Sequence, residues 1–450
     1  MTSLYWLRLI LGLILFSLAA CSPSARINKQ AKSNLLHSAD LKNAHVGIAI
    51  YDATQNKWLY KYQSNKYFVP ASNTKLLSCY AALKYLGDSL TGIFYKEDDT
   101  AVYLLPSGDP TLLHKDFSRQ PVIQFLQSTS KKIYITSKNW RDNALGFGWS
   151  WDDYNSDYMA ERSPLPVYGN VVKWIQEIDT SKKIETSEFS NTVSISSVPE
   201  INWRVRFNPE SAGTVFLVRR NRDENEFIIS EGKEIKKEQD VPFLTRGILS
   251  AIELLEDTIG KAVSIIDQIP NKPENLQSIH SQPLDSFLLP MMHRSDNFFA
   301  EQSLLMVSQD RLQFMSIPRL IDTLLKTDLQ SLPQRPRWVD GSGLSRYNQF
   351  TPEDFVWILN KMKDEFGIER MKGILPTGGE GTLSNYFKNE AGFIFAKTGT
   401  LSGHVALSGM IFTKRDHLLI FSLLVNNHNG SAVAIRRQTE AFLQAVRERH

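Results

Sequence analysis

Cysteine is nearly absent: the 450 residues hold two, Cys21 and Cys79. That excludes a framework of several disulfides and leaves room for one bridge at most. Charge of one sign is lacking too. The chain carries 51 Lys and Arg against 48 Asp and Glu, a formal net charge of +3. A broad basic surface of the kind that holds nucleic acid is not expected, so nucleic acid is not an expected partner. The 9 histidines are scattered and form no H-E-x-x-H motif. With no cluster of metal-ligand spacing visible, no metal and no other cofactor is expected. Low-complexity tracts, blocks of like charge and internal repeats are missing as well. What remains is 42% hydrophobic and 22% charged residues, the balance of a globular chain with room for two or three domains.

The N-terminus opens on a run of apolar or small residues plus Ser17, from Leu9 to Ala20, preceded by Arg8. The run is short for a membrane span and suits the apolar stretch of a signal peptide. It ends in Leu18-Ala19-Ala20-Cys21, which resembles a bacterial lipobox, where the cysteine is acylated and becomes the mature N-terminus. The alternatives are an uncleaved anchor or an ordinary signal peptide. On the lipobox reading residues 1–20 are a signal peptide, and the polar residues 21–40 are a lipid-attached tether to the membrane. Cys79 is then a partnerless buried thiol. Ser22, where inner-membrane retention signals carry an acidic residue, points to an exported protein on the outer membrane facing the periplasm.

Strand-like segments lie at both ends of the remaining chain. Val46–Tyr51 and Trp58–Tyr62 flank a turn, and His404–Phe412 and Leu418–Val425 flank Lys414-Arg415-Asp416. Leu76, Cys79, Leu83 and Leu86 have helical spacing within Ser72–Leu86, and a final amphipathic helix runs from about Ala432 to Arg447. A sheet completed by both ends of the chain gives a mixed α/β fold. From about Thr91 to Val263 short strand-like runs such as Val193–Ser196 and Phe227–Ile229 alternate with polar turns. Helical candidates are few there before Thr245–Gly260, so this stretch reads as inserted β-rich domains.

Three short motifs carry chemistry. Ser72-Asn73-Thr74-Lys75 is an S-x-x-K at a helix start, where residues three apart share a face and Lys75 lies beside Ser72. A serine hydroxyl becomes an effective nucleophile when a neighbouring base takes its proton, and a lysine of lowered pKa is such a base. Ser128…Lys131 and Ser230…Lys233 have the same spacing without the apolar helix. Ser295-Asp296-Asn297 can relay a proton and hold a peptide backbone, although each of its residues also suits a helix N-cap. Ser137-Lys138-Asn139 fits the looser S-x-N pattern. Lys397-Thr398-Gly399-Thr400, entering the late strand pair, offers a cation for a carboxylate and a glycine for close backbone approach.

In this order S-x-x-K, S-D-N and K-T-G form the signature of penicillin-binding proteins and class A β-lactamases. Lys75 and Ser295 are separated by far more chain than a β-lactamase needs. Further stretches resemble the class C low-molecular-mass penicillin-binding proteins, the D-alanyl-D-alanine carboxypeptidase/endopeptidases of peptidase family S13. They are Gly108-Asp109-Pro110-Thr111-Leu112, Gly148-Trp149-Ser150-Trp151-Asp152-Asp153, Ser295–Glu301 and Asp340-Gly341-Ser342-Gly343-Leu344-Ser345-Arg346. The resemblance runs from about Val46 to the C-terminus and is weakest between about Val171 and Phe243. It implies a penicillin-binding transpeptidase-like α/β domain (41–95 and 275–450) with β-rich domains inserted between the first and second active-site motifs. The inserted domains are expected at 96–165 with 245–274, and at 166–244.

The resemblance also implies roles. Ser72 is the acylated nucleophile and Lys75 its base, with Ser295 and Asn297 completing the proton network and positioning substrate. Lys397 and Thr398 hold the terminal carboxylate, Gly399 admits the substrate backbone, and the N–H groups of Ser72 and Thr400 form the oxyanion hole. Asp153 and Arg346 match positions that bind the charged side chain of the peptide's third residue, often diaminopimelate. An ammonium and a carboxylate on one side chain call for one charge of each sign. Asp153 is otherwise a turn residue and Arg346 otherwise half of a surface ion pair. Asp340 and its glycines shape the loop that presents Arg346. Ser402 stands where some relatives carry glutamine after the K-T-G. The expected partners are peptidoglycan peptides and β-lactam antibiotics. Two other functions fit the same scaffold: a serine β-lactamase or esterase, and a non-catalytic wall-binding protein.

Overall fold

The computed structural model describes residues 23–179, 192–208, 215–271 and 276–450. The apolar run and Cys21 lie outside the described residues. The chain forms two compact units. The first takes in the chain up to Tyr80, Leu288–Ser295 and Ile321–His450, and the second Ala81–Phe287 and Asp296–Leu320.

The first unit is built on a five-stranded antiparallel sheet. Its strands are β1 (His45–Asp52), β2 (Lys57–Tyr62), β3 (Ile394–Leu401), β4 (His404–Phe412) and β5 (Leu418–Asn426), in the spatial order β3-β4-β5-β1-β2. β1 pairs along its whole length with β5, Val46 opposite Val425 and Ile50 opposite Phe421. Both ends of the chain therefore complete one sheet, as the strand pattern predicts. The helices are α1 (Pro23–Ala31), α2 (Lys75–Tyr85), α3 (Pro352–Phe366) and α4 (Ala432–Arg449).

Side chains alternate across a strand. Val46, Ile48 and Ile50 of β1 share a core with Ile435, Phe442 and Val446 of α4. Gly47 faces the other way, where a Cβ would come within 2.5 Å of Phe68 and 2.8 Å of Pro352 at the start of α3. The same alternation along β3 puts Ile394 and Ala396 in the α4-side core. Thr398 and Thr400 share that parity, and Lys397 and Gly399 take the opposite face. The K-T-G motif thus lies on a third C-terminal strand of its own, at the edge of the sheet, rather than at the entrance to the expected pair.

The expected tether is folded where it is described. Pro23–Ala31 is helical and Lys32–Leu36 continues as a π-helical turn. Ile27, Ala31 and Leu35 are fully buried in the core with Val46 and Ile48. The segment looks polar on average, yet these three residues are four apart and form a one-sided apolar stripe. Cys79 is a free, fully buried thiol in α2.

The second unit holds a mixed five-stranded sheet in the order Val263–Ile265, Lys132–Ile135, Ala101–Pro106, Ser89–Glu97 and Gln277–Pro283. Residues from Val171 to Pro242 add two three-stranded sheets. Helices Pro121–Ser128 and Leu249–Ile259 pack Val122, Leu126, Leu254 and Leu255 into the core these sheets share. Pairing of Ser89–Glu97 with Gln277–Pro283 places both strands in this unit, whereas domain edges at 95 and 275 assign parts of them to the first.

Candidate active site

Ala71 has φ 48°, in the left-handed region that residues with a Cβ rarely occupy. The bend opens a short 3-10 turn, Ala71–Thr74, that runs into α2 and sets Ser72 at its start. Backbone N–H groups in a first helical turn lack helical acceptors and face outward for a ligand. Thr74 Oγ1 donates to Ala71 O at 2.9 Å and closes the turn.

Lys75 is fully buried directly below. Its Nζ donates to Ser72 Oγ at 3.0 Å and to Ser342 O at 2.7 Å. The first contact is the reach a general base needs, and the second fixes the lysine's rotamer. Ser342 belongs to the Asp340–Arg346 loop, which is organised from within. The Asp340 carboxylate accepts from the Gly343 N–H (2.9 Å), the Ser345 N–H (2.6 Å) and Asn348 Nδ2 (2.6 Å). Gly343 has φ 82° and lies so near the nucleophile turn that a Cβ would be 1.9 Å from Ala71 O.

The K-T-G strand closes on the turn from another side. A Cβ on Gly399 would lie 2.8 Å from Pro70 O and 3.1 Å from Ala71 Cβ, so only glycine lets β3 approach this closely. The Asn73 amide joins the two segments, its oxygen accepting from Ser408 Oγ (2.6 Å) and its nitrogen donating to Lys397 O (2.9 Å). Lys397 is also fully buried, and its Nζ donates to Ser295 Oγ and to Thr398 O, both at 2.8 Å. Burial holds its pKa well below that of a free lysine, and the charges of Lys75 and Arg436 add to the effect. Burial likewise lowers the pKa of His293, opposed by Glu380 and assisted by Lys397. The site is cation-rich and suits an anionic group.

Both readings of the S-D-N motif hold, on different residues. Asp296 is the N-cap of the helix Asn297–Leu312, its carboxylate accepting from the Phe299 N–H at 3.0 Å. Ser295, with φ 63°, is turned toward Lys397. Asn297 belongs to the second unit, where its amide nitrogen donates to Tyr158 O at 3.0 Å. Asp153 is also in the second unit, half-buried at the end of the Trp151–Asp153 turn and bonded to the Tyr158 hydroxyl. Arg346 is exposed in the first unit, where its Nη1 donates to Ser402 O at 3.2 Å and lies 3.4 Å from His404 Nδ1. Among the described residues no carboxylate pairs with Arg346, so the ion-pair alternative is not what it forms.

The rival motifs have structural partners. Ser128 ends a helix and donates back to Phe125 O at 2.9 Å, and Lys131 pairs with Glu97 at 2.9 Å. Ser230 ends a strand. Asn139 is buried and donates to Pro106 O and Gln309 Oε1, both at 2.8 Å. Four contributors went unread in the sequence. Asn73 sits inside the first motif, and Ser342 and Gly343 sit inside D-G-S-G, so the motifs themselves were the signal. Arg436, whose guanidinium donates to Thr400 Oγ1, had no sequence signal at all.

Comparison with known proteins agrees with this geometry. The D-alanyl-D-alanine carboxypeptidase of Actinomadura sp. (strain R39) is 25% identical over 447 residues, spanning 88% of this chain and 80% of that protein. The D-alanyl-D-alanine carboxypeptidase DacB of Haemophilus influenzae is 23% identical over 463 residues, spanning 90% of each. The crystal structure of penicillin binding protein 4 from Haemophilus influenzae superposes with a TM-score of 0.70 at 18% identity, covering 94% of this chain and 99% of that one. A second structure of that protein, complexed with a β-lactam, gives a TM-score of 0.64 at 17% identity, over 94% and 99% of the two chains. Residues 28–446 match one family along nearly the whole chain, and the chain belongs to it: the D-Ala-D-Ala carboxypeptidase 3 (S13) family.

Proposed function

We infer that the protein is a serine D,D-carboxypeptidase/endopeptidase that cleaves D-alanyl bonds in peptidoglycan stem peptides through an acyl-enzyme on Ser72, and that β-lactams inhibit it by acylating the same serine. The observation that carries this reading is the 3.0 Å contact between Lys75 Nζ and Ser72 Oγ in a chain of the S13 family. Lys75 takes the hydroxyl proton as Ser72 attacks the penultimate D-Ala carbonyl. The N–H groups of Ser72 and Thr400 receive the oxyanion. Ser295, bonded to Lys397, passes a proton to the leaving amine. Lys397 and Thr398 hold the terminal carboxylate, and Gly399 leaves room for the substrate backbone. Asn297 positions the substrate amide. Water then releases the acyl group. Mass spectrometry of purified muropeptides incubated with the enzyme is the test. Loss of terminal D-Ala or of cross-links supports the reading, and unchanged muropeptides with no penicillin adduct reject it.

Asp153 and Arg346 are assigned to the charged side chain of the third stem residue. Penicillin has no such side chain and makes neither contact. A charge-assisted hydrogen bond contributes about 1.5–3 kcal/mol. Asp153→Ala and Arg346→Ala should therefore each lower kcat/KM on a diaminopimelate peptide roughly ten- to a hundred-fold and change penicillin acylation far less. Equal losses on both substrates would return these residues to a purely structural role.

The protein is further proposed to be an exported lipoprotein, acylated at Cys21 and held at the outer membrane facing the periplasm. Support comes from Leu18-Ala19-Ala20-Cys21 after an apolar run. Cys21→Ser should shift the protein from the membrane fraction to the soluble fraction, and a wild type that fractionates as soluble would overturn the assignment.

A further inference from the structure

The carboxylate end of the site has a cation that the motifs do not contain. Arg436 lies on α4, in the second turn after the N-cap Ser431. It is half-buried, with its guanidinium 5.9 Å from the centre of the Tyr386 ring and a hydrogen bond from Nη2 to Thr400 Oγ1. Among the described residues no carboxylate is paired with it. A buried or half-buried guanidinium that gives its proton to a hydroxyl, rather than to an acid, retains an uncompensated charge. That charge reaches the active site, where it helps to lower the pKa of Lys397.

The hydroxyl it touches is well placed to pass the effect on. Thr398 and Thr400 are two apart on β3 and share one strand face. Thr398 and Arg436 line the same small cavity, with Tyr386 and Thr439. A threonine hydroxyl has one proton and two lone pairs. With a lone pair occupied by the guanidinium, the Thr400 proton is left to donate elsewhere, and donation is polarised by the cation behind it.

The geometry points to Arg436 as a positioning residue that orients the Thr400 hydroxyl toward the substrate's terminal carboxylate and supplies part of the positive charge that selects it. The inference rests on the proposed peptidase reading and deepens it. Specificity for a free carboxylate then comes from a helix remote in sequence from all three motifs. The neutral hydroxyl makes the contact and the guanidinium sets its direction, so a lysine at 436 retains charge while losing the planar fork.

The test compares acylation of wild type, Arg436→Lys and Arg436→Ala by benzylpenicillin and by its methyl ester, which differ only in the carboxylate charge. Wild type should prefer the acid. In Arg436→Ala the second-order acylation constant for the acid should fall roughly ten-fold or more, while the constant for the ester stays within about two-fold, so the acid-to-ester ratio collapses. Arg436→Lys should restore part of the ratio. If both constants fall together, Arg436 only supports β3, and if neither moves, it has no part in recognition. Either result overturns the inference and leaves the peptidase reading intact. A wild type that forms no adduct with either compound overturns the peptidase reading and the inference with it. Urea melts of each variant exclude misfolding as the cause of a loss.

Discussion

Ser72→Ala should abolish covalent labelling by penicillin and lower D-alanyl peptide hydrolysis about 10⁵-fold or more, as removal of the nucleophile does in other serine hydrolases. Ser72 is half-exposed at the start of a turn whose other side chains are buried, so the loss of one oxygen atom should leave the fold unchanged. Lys75→Ala should reduce acylation nearly as far, but with a second consequence. Lys75 Nζ also satisfies the Ser342 carbonyl, so its removal leaves a buried acceptor unpaired, a cost of about 1–3 kcal/mol in stability. Ser72→Ala should therefore be inactive at wild-type stability, and Lys75→Ala inactive and less stable. Intact-mass spectrometry after penicillin treatment reads the adduct, and urea denaturation reads the stability. An adduct on Ser128 or Ser230, or labelling that survives Ser72→Ala, would remove Ser72 from its role.

The second large effect comes from an atom that is absent. Gly343→Ala should cut the acylation rate by about a hundred-fold and cost roughly 2–4 kcal/mol in stability. A methyl group there would lie 1.9 Å from Ala71 O, a contact that cannot form without moving the backbone beside the nucleophile. The position also has φ 82°, a conformation that alanine resists. The mutation thus strains its own loop and pushes the Ser72 turn away from β3 and Lys75. A misplacement of about 1 Å in a reacting group is enough for a hundred-fold loss. A sharper control is Gly367→Ala, also at φ 82° but with open space around it. It should cost stability through strain alone and leave acylation near wild type. Equal acylation by Gly343→Ala and wild type would mean that the loop does not set the nucleophile's position.

Much of the site was legible because its motifs are short-range objects. Ser72 and Lys75 meet through helical spacing, and Lys397 and Gly399 share a face through strand alternation, both within four residues. The S-D-N motif was readable in both its roles, since Asp296 caps the helix and Ser295 turns to the lysine. Residues 23–36 were misread because their average polarity hides a stripe of three apolar side chains, and only packing against β1 gives the stripe something to bury. The strands Ser89–Glu97 and Gln277–Pro283 fell across an expected boundary because pairing at a separation of nearly two hundred residues leaves no mark in a local window.

The amino-acid sequence alone determined the α/β class, the order of the three motifs, the identity of the serine and lysine that act together, and the family. Each follows from local periodicity or from the joint occurrence of side chains whose chemistry is short-range. Tertiary structure alone decided that Ser342 and Gly343 seat the nucleophile turn, that Asn73 ties it to the K-T-G strand, and that Arg436 stands behind Thr400. These contacts join segments as distant as 36 to 336 positions along the chain. They exist because the sheet places β3 at its edge and packs α4 against one face and the serine turn against the other. That arrangement minimises the exposed apolar surface of the whole unit, a global sum that no single stretch of sequence records.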